Sequence, residues 1–337
     1  MRTSRTHTLM RNEVLGMEWN LLEECKEAKR IGISGHIRPD GDCVGACLAM
    51  RMYLKKCLPQ AEVKVFLEKP EEIFCVIEGF DEIDSVFGEE APFDVFLVLD
   101  CAEDRLGAAA KYFQTAGKRI NIDHHISNKG CGDLKYIRPM IGSTCELIYD
   151  LIDTEKLDTE LAKALYIGII HDTGIFQYSN TTPATMEKGA KLISYGFDFA
   201  GLIQETFYQK TYTQTHIMGR VLMESIRFLQ GRCVVGVVDK KTMEFYGAET
   251  SDLDGIVNQL KNIKGVDCAI FMYQSDILEY KISLRSNEKV NVAQVAAFFG
   301  GGGHARAAGC TIKGTFHDCV NNLSLHIERQ LKSHDVP

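Results

Sequence analysis

Residues 30–54 read RIGISGHIRPDGDCVGACLAMRMYL. RIGIS (30–34) has the continuous apolar character of a strand buried on both faces, and ACLAMRMYL (46–54) reads as a helix. Between them, GHIRPDGDCVG (35–45) sets His36, Asp40 and Asp42 close together with glycines on both sides. Strand, polar loop and helix in that order open a βαβ unit. In an open parallel sheet such a loop lies beyond the carboxyl end of its strand, where ligands bind.

Working outward, EVKVFLE (62–68), DVFLVLD (94–100) and KRINID (118–123) repeat the strand pattern. Helical patterns cover Leu106–Ala116, Ser143–Ile152, Thr159–Ile170 and Pro183–Tyr195, the last with a proline suited to a first turn. This alternation predicts an α/β fold with a parallel sheet. Residues 201–230 read as a helical connector. A second set follows: RCVVGVVD (232–239), a helix-like DLDGIVNQLKNI (252–263), strands DCAIFMYQS (267–275) and EYKISLRS (279–286), a short helix in NVAQVAAFF (291–299) and a final helix after Asp318. The expected organisation is a lead-in over 1–19 without apolar period (Met17 being an alternative start), a first domain over 20–200, the connector, and a smaller α/β domain over 231–330 across a cleft.

The chain has 337 residues, 45% hydrophobic and 25% charged, with a formal net charge of −8. That balance argues against an extended duplex-DNA footprint, which calls for a basic domain. It leaves room for a small phosphorylated substrate held by a few arginines and cations. No stretch approaches the roughly 18 apolar residues of a membrane span, and the N-terminus lacks a signal-peptide core, so a cytoplasmic protein without membrane partners is expected. The 12 cysteines include no C-x-x-C pair and read as small buried hydrophobes.

Chemistry gathers at the ends of these elements. One strand is followed by His36, Asp40 and Asp42; VFLVLDCAEDR ends another with Asp100; INIDHH ends a third with Asp123, His124 and His125. In GIIHDTGIFQYSNTT, Asp172 closes an apolar helical run before a glycine turn. Singly, each has an ordinary reading: an Asp after a strand is often a helix N-cap, and Asp42 could cap the helix that follows it. His171, His216, His317 and His326 read as core or surface histidines, and Glu71–Glu72 and Glu89–Glu90 as solvated faces. Together, carboxylates converging at one sheet edge would repel unless cations neutralised them. Asp oxygens with His nitrogens suit Mn2+ or Mg2+, or else Fe2+ or Co2+. The ligands are too many for one ion; two ions about 3.5–4 Å apart, sharing a carboxylate, would use them.

Farther along, Gly300–Gly303 precede His304, Ala305 and Arg306. Such a run lets backbone N–H groups approach an anion, with a helix start adding partial positive charge. Arg285, in ISLRS (282–286), could clamp a phosphate or make a surface ion pair. Arg105 and Asn180 are weaker candidates.

In order, HIRPDGD, VLD, DHH and HDTG resemble the four motifs of the DHH phosphoesterase superfamily, and FFGGGGHARAAG (298–309) resembles the glycine–histidine signature of its DHHA1-type accessory domain. The resemblance spans about residues 20–325. It implies two divalent ions, Mn2+ first with Mg2+ or Co2+ as alternatives. His36 and Asp40 would bind one, Asp42, His124 and Asp172 the other, with Asp100 bridging. Asp123 would orient a ligand imidazole, and His125 would lie near it or near the scissile phosphate. Arg285, Gly301, Gly302, Gly303, His304 and Arg306 would hold substrate, and Asp100, His124, His125 and His304 would serve catalysis, with His304 acting from across the cleft. The implied reaction is in-line phosphoester hydrolysis by a water activated between the metals.

A stand-alone two-domain chain resembles the nano-RNase and pAp (3′-phosphoadenosine 5′-phosphate) phosphatase type, which trims short oligoribonucleotides to mononucleotides and converts pAp to AMP. A homodimer is compatible with this. The alternatives are a cyclic or linear dinucleotide phosphodiesterase, c-di-AMP included, and, more remotely, a non-catalytic nucleotide-binding protein.

Overall fold

Strands β1 (Arg30–Ser34), β2 (Glu62–Phe66), β3 (Val95–Leu99) and β4 (Lys118–Asp123) form on the four apolar runs, and β5 (Leu134–Ile137) adds a fifth that the pattern did not announce. They make one parallel sheet in the order β2-β1-β3-β4-β5. The computed structural model describes residues 20–334, so the lead-in expected over 1–19 lies outside the described residues. The chain divides between Gln209 and Lys210 into two units.

The helices of the first unit are α1 (Leu21–Cys25), α2 (Gly41–Cys57), α3 (Ala110–Thr115), α4 (Thr144–Leu151), α5 (Thr159–Asp172), α6 (Pro183–Ile193) and α7 (Phe199–Ile203). Each face of the sheet is covered, which explains the unbroken apolar strands. On β3, Val95, Leu97 and Leu99 enter the core shared with α2, α4 and α5, while Phe96 and Val98 point to an aromatic cluster of Phe66, Phe93, Tyr112 and Phe113. Helix α5 presses closely on α2: a Cβ on Gly168 would meet Asp42 Oδ1 at 2.6 Å, and one on Gly45 would meet the Ala164 carbonyl at 2.7 Å.

Three expectations are corrected. Asp40, not Asp42, caps α2, its Oδ1 accepting the Asp42 and Cys43 N–H groups at 3.1 Å each. The helix over Leu106–Ala116 is shorter than expected, because left-handed Gly107 (φ 56°) and a 3₁₀ turn precede α3. Glu90 is not a solvated face: it is partly buried and ion-paired to both Arg30 and Lys64 at 2.6 Å.

The second unit contains α8 (Tyr212–Glu224), β6 (Ile226–Phe228), β7 (Cys233–Val238), α9 (Lys240–Tyr246), α10 (Ile256–Lys261), β8 (Cys268–Asp276), β9 (Glu279–Ser286), α11 (Val292–Phe298), β10 (Gly302–His304), β11 (Ala307–Lys313) and α12 (Phe316–His334). Its mixed sheet runs β10-β11-β9-β8-β7-β6, with separate apolar cores on its two faces. Among the described residues no helix is long and apolar enough to cross a membrane.

Candidate metal centre

The strand order reverses between β1 and β3, and the crevice at such a reversal is the usual ligand site of an open α/β sheet. His36 follows β1 and Asp40 opens α2, Asp100 follows β3, Asp123 ends β4 with His124 behind it, and Asp172 ends α5. They meet around Asp100. His36 Nε2 lies 3.3 Å from Asp100 Oδ2 and 3.6 Å from Asp40 Oδ2. His124 Nε2 lies 3.6 Å from Asp100 Oδ1, 3.2 Å from Asp172 Oδ2 and 3.9 Å from Asp42 Oδ2. Asp100 thus offers one oxygen to each imidazole.

Backbone geometry supports this convergence. Asp100 is left-handed (φ 61°), a conformation that Asp tolerates better than most residues, so the chain turns sharply as it leaves the sheet. Asp42 is held from a distant segment, Oδ2 accepting the Thr144 N–H at 2.6 Å and Oδ1 the Cys145 N–H at 2.9 Å, at the start of α4. Thr144 Oγ1 donates to Asp100 Oδ1 at 2.9 Å. Asn180 Nδ2 donates to the Gly142 and Asp172 carbonyls (2.8 and 3.2 Å), tying together the loops around the site.

The histidines carry the argument for a cation. His36 Nδ1 faces the Ile37 carbonyl at 2.9 Å, and His124 Nδ1 faces the Ile141 carbonyl at 3.1 Å. A carbonyl only accepts, so each Nδ1 holds a proton and each Nε2 is turned towards the carboxylates, where its lone pair could serve a cation placed among them. His124 Nε2 is buried and makes no hydrogen bond among the described residues, with three carboxylate oxygens around it. Protons must otherwise balance this charge. Burial, reinforced by Asp42, pushes Asp100 well above the carboxylate range, and burial also raises Asp42. Partial burial with Asp42 and Asp40 pushes Asp172 to about 8. Burial alone would lower His36, but Asp100 and Asp40 outweigh it and hold it well above its usual value. Divalent cations could take the place of those protons, and the donor set of carboxylates and imidazoles fits them.

His125 is arranged differently. Its Nδ1 lies 2.8 Å from Asp123 Oδ1, which also accepts the His124 and His125 backbone N–H groups at 2.7 and 3.1 Å. Asp123 Oδ2 accepts Asn128 Nδ2 at 2.6 Å. Asp123 is therefore filled by donors and serves His125.

In the second unit the glycine run does not lead into a helix, as the sequence suggested. It follows the C-terminus of α11 and enters the edge strand β10, so no helix dipole supports an anion there. Close pairing explains the glycines: a Cβ on Gly301 would meet the Gly309 carbonyl at 2.1 Å, and Gly303 has φ 138°. Gly302 pairs with Gly309 and Gly303 with Ala308. Register sets His304 opposite Ala307, and Ala307 opposite Arg285. Directly paired residues share a sheet face, so His304 and Arg285 rise on one side, two strands or about 10 Å apart. Arg285 Nε donates to Asn258 Oδ1 at 3.1 Å. Arg306 lies in the hairpin turn and donates to the Val290 carbonyl at 3.1 Å, away from that row.

Residues 30–169 match the DHH family, N-terminal domain, and residues 231–333 match the DHHA1 domain. The chain is 30% identical to the bifunctional oligoribonuclease and PAP phosphatase NrnA of Thermus thermophilus, over 84% of each chain. The chain belongs to the DHH family. A second DHH relative, the protein of the same name from Bacillus subtilis, is 26% identical over 89% of this chain and 94% of its own. The fold matches that of an exopolyphosphatase-related protein from Bacteroides fragilis, with TM-score 0.84, 24% identity and 99% of both chains covered. As a DHH protein this chain is a hydrolase of phosphoester bonds.

Several residues around the DHH centre escaped the sequence reading. Thr144 and Cys145 begin a helix that was read only as a helical pattern over Ser143–Ile152; that its N–H groups reach Asp42 depends on tertiary packing. Arg38, exposed and left-handed (φ 56°) between His36 and Asp40, carried no local signal. Cys43 lies beside His36 and Asp100, and burial holds its thiol well above the usual range. His171 is a satisfied core histidine, its Nε2 3.1 Å from Thr206 Oγ1 and its ring packed by Phe74 and Phe207.

The DHH centre makes a pH prediction. A carboxyl whose pKa rises on folding holds a proton that the unfolded chain has released, so stability falls as pH rises from its unfolded to its folded value. For Asp172 that window runs from 3.8 to about 8. Raised His36 acts in the same sense over a higher window, its stabilisation being lost only as pH climbs above 6.5 towards its folded value. His171, lowered by burial from 6.5 to about 4, opposes them only below 6.5. The melting temperature of chelator-treated protein should therefore fall between pH 6.5 and 8, and Mn2+ should remove the slope. A flat profile in chelator would contradict the crowding.

Proposed function

We propose that this DHH protein hydrolyses short oligoribonucleotides to mononucleotides and pAp to AMP, using two divalent ions, Mn2+ foremost. His36 and Asp40 would hold one ion, Asp42, His124 and Asp172 the other, and Asp100 both. The observation that carries the metal assignment is the orphaned Nε2 of His124 among three carboxylates, with Asp100 turning one oxygen to each imidazole. The substrate assignment is supported by the names and coverage of the two NrnA relatives.

When bound, the cations would supply charge: they neutralise the carboxylates, ready a water for attack and balance the phosphoryl group. The chain's own groups do the rest. Thr144 orients Asp100, and the start of α4 fixes Asp42. Asp123 holds the Nδ1 proton of His125, leaving Nε2 to carry or accept a proton at the phosphate or leaving oxygen. In the second unit, Arg285 and His304 are the proposed substrate-binding side chains, with Gly301–Gly303 offering edge backbone.

The test is a Mn2+-supplemented product assay on a 5′-phosphorylated RNA dinucleotide, a longer RNA, pAp and cyclic di-AMP. Mononucleotides released rapidly from the dinucleotide, with AMP from pAp, are expected. Preferential opening of cyclic di-AMP would overturn the substrate assignment while leaving the metal assignment standing. Arg285→Gln should raise KM for pAp about tenfold, the scale of one charge-assisted hydrogen bond, with metal content unchanged. Loss of metal in that variant would break the proposed division of labour.

A further inference from the structure

Beneath the centre runs a chain of buried amides that the proposed chemistry does not use. Asn121, on β4, is fully buried. Its Nδ2 donates to the carbonyls of Val98 (3.1 Å) and Cys101 (2.8 Å), which flank Asp100. Its Oδ1 accepts Asn128 Nδ2 (3.1 Å) and the Cys131 N–H (3.2 Å). Asn128 Nδ2 is shared with Asp123 Oδ2, and Asn128 Oδ1 accepts the Gly130 N–H at 2.7 Å. Both amide hydrogens of each asparagine are used. Turning either amide over would set N–H against N–H, so the network determines their orientation.

An apolar residue would fill the interior of a parallel strand at lower desolvation cost, so a buried Asn here calls for a reason. The β3–β4 ladder ends where the Asp100 N–H reaches the Ile122 carbonyl at 3.0 Å. Beyond that point the chain turns left-handed, and Asn121 recaptures the Cys101 carbonyl that the ladder has lost. We infer that Asn121 is a positioning residue: it holds the Asp100 turn on one side and, through Asn128, the Asp123–His125 pair on the other. This rests on the proposed role of Asp100 as the shared ligand.

The experiment compares three variants. Asn121→Asp keeps shape and acceptor but loses both N–H donors. Its Mn2+ affinity, read from the electron paramagnetic resonance signal of free Mn2+, should weaken about tenfold, and kcat on pAp should fall about 100-fold with KM within about twofold. Asn128→Ala removes the donor to Asp123 but leaves the bonds to β3, so kcat should fall about tenfold with Mn2+ affinity unchanged. Leu97→Ala loosens the same strands from the apolar side; assayed below its melting transition, it should keep wild-type affinity and kcat.

An Asn121→Asp protein that tracks Leu97→Ala overturns the inference, and so does an Asn128→Ala protein that weakens Mn2+ binding as much as Asn121→Asp. Should Asn121→Asp fail to fold, the split between kcat and affinity in Asn128→Ala decides. A wild-type protein inert on pAp would count against the proposed substrate alone, because the Mn2+ titration reads positioning without substrate.

Discussion

Asp100→Asn should reduce turnover at least about 1000-fold while the metal-free protein melts at a higher temperature than wild type. The opposed signs come from one carboxylate. With cations bound, the charge of Asp100 is what two ions would share, and an amide cannot replace it. Without cations the same carboxyl is buried beside Asp42, Asp40 and two imidazoles, and burial with Asp42 pushes its pKa well up, so the folded chain must take up a proton there. Removing it spares the folded state that cost, so the metal-free variant should be the more stable one. Asn is the right probe because it tolerates the left-handed φ of 61° and can still accept the Thr144 hydroxyl, whereas Ala would add backbone strain. The checks are a steady-state assay in Mn2+ and a melting curve in chelator. Turnover above a tenth of wild type would refute the shared-ligand role.

Asp123→Asn should lower kcat about 100-fold with Mn2+ affinity within about threefold. Asp123 offers two oxygens to four donors: the His124 N–H, the His125 N–H and His125 Nδ1 on one side, Asn128 Nδ2 on the other. An amide has one oxygen, so one side must meet an NH2 group instead. Asn128 cannot turn to accept it, because its own oxygen is engaged by Gly130. With the NH2 group on the histidine side, His125 is free to rotate or change tautomer and the proton at its far nitrogen is no longer controlled; with it on the Asn128 side, the two NH2 groups repel and tilt the amide away from His125. Single-turnover kinetics beside a Mn2+ titration would separate the two quantities. An equal loss of both would mean that Asp123 acts on the metal ligands instead.

The first unit was legible because its strands are buried on both faces and so carry long apolar runs that end in charged residues. β5 was missed because it is a short edge strand in which Leu134, Tyr136 and Ile137 are only half-buried and Lys135 is exposed. The convergence of His36, Asp42, Asp100, His124 and Asp172 could be argued from their positions at strand and helix ends. What Thr144 does to Asp100 could not, since that contact crosses 44 positions. Asn121 gave no signal either, because KRINID (118–123) reads as a buried strand with or without it. The glycine run misled only about a following helix, because glycine serves close β-pairing as readily as a helix start, and the His304–Arg285 row exists only once the register of three strands is known.

The bond between Asp42 and the start of α4 has a consequence for ancestry. One side chain from the first βαβ loop both serves the centre and anchors a helix about 100 positions later, as the contact separations of 102 and 103 record. Among the described residues, His36 and Asp172 carry no comparable duty to the backbone of another element. A descendant lineage that abandoned hydrolysis should therefore shed His36 or Asp172 early and keep Asp42 long after, so that inactive copies would betray their origin by Asp42 surviving beside the helix cap Asp40 at the head of α2.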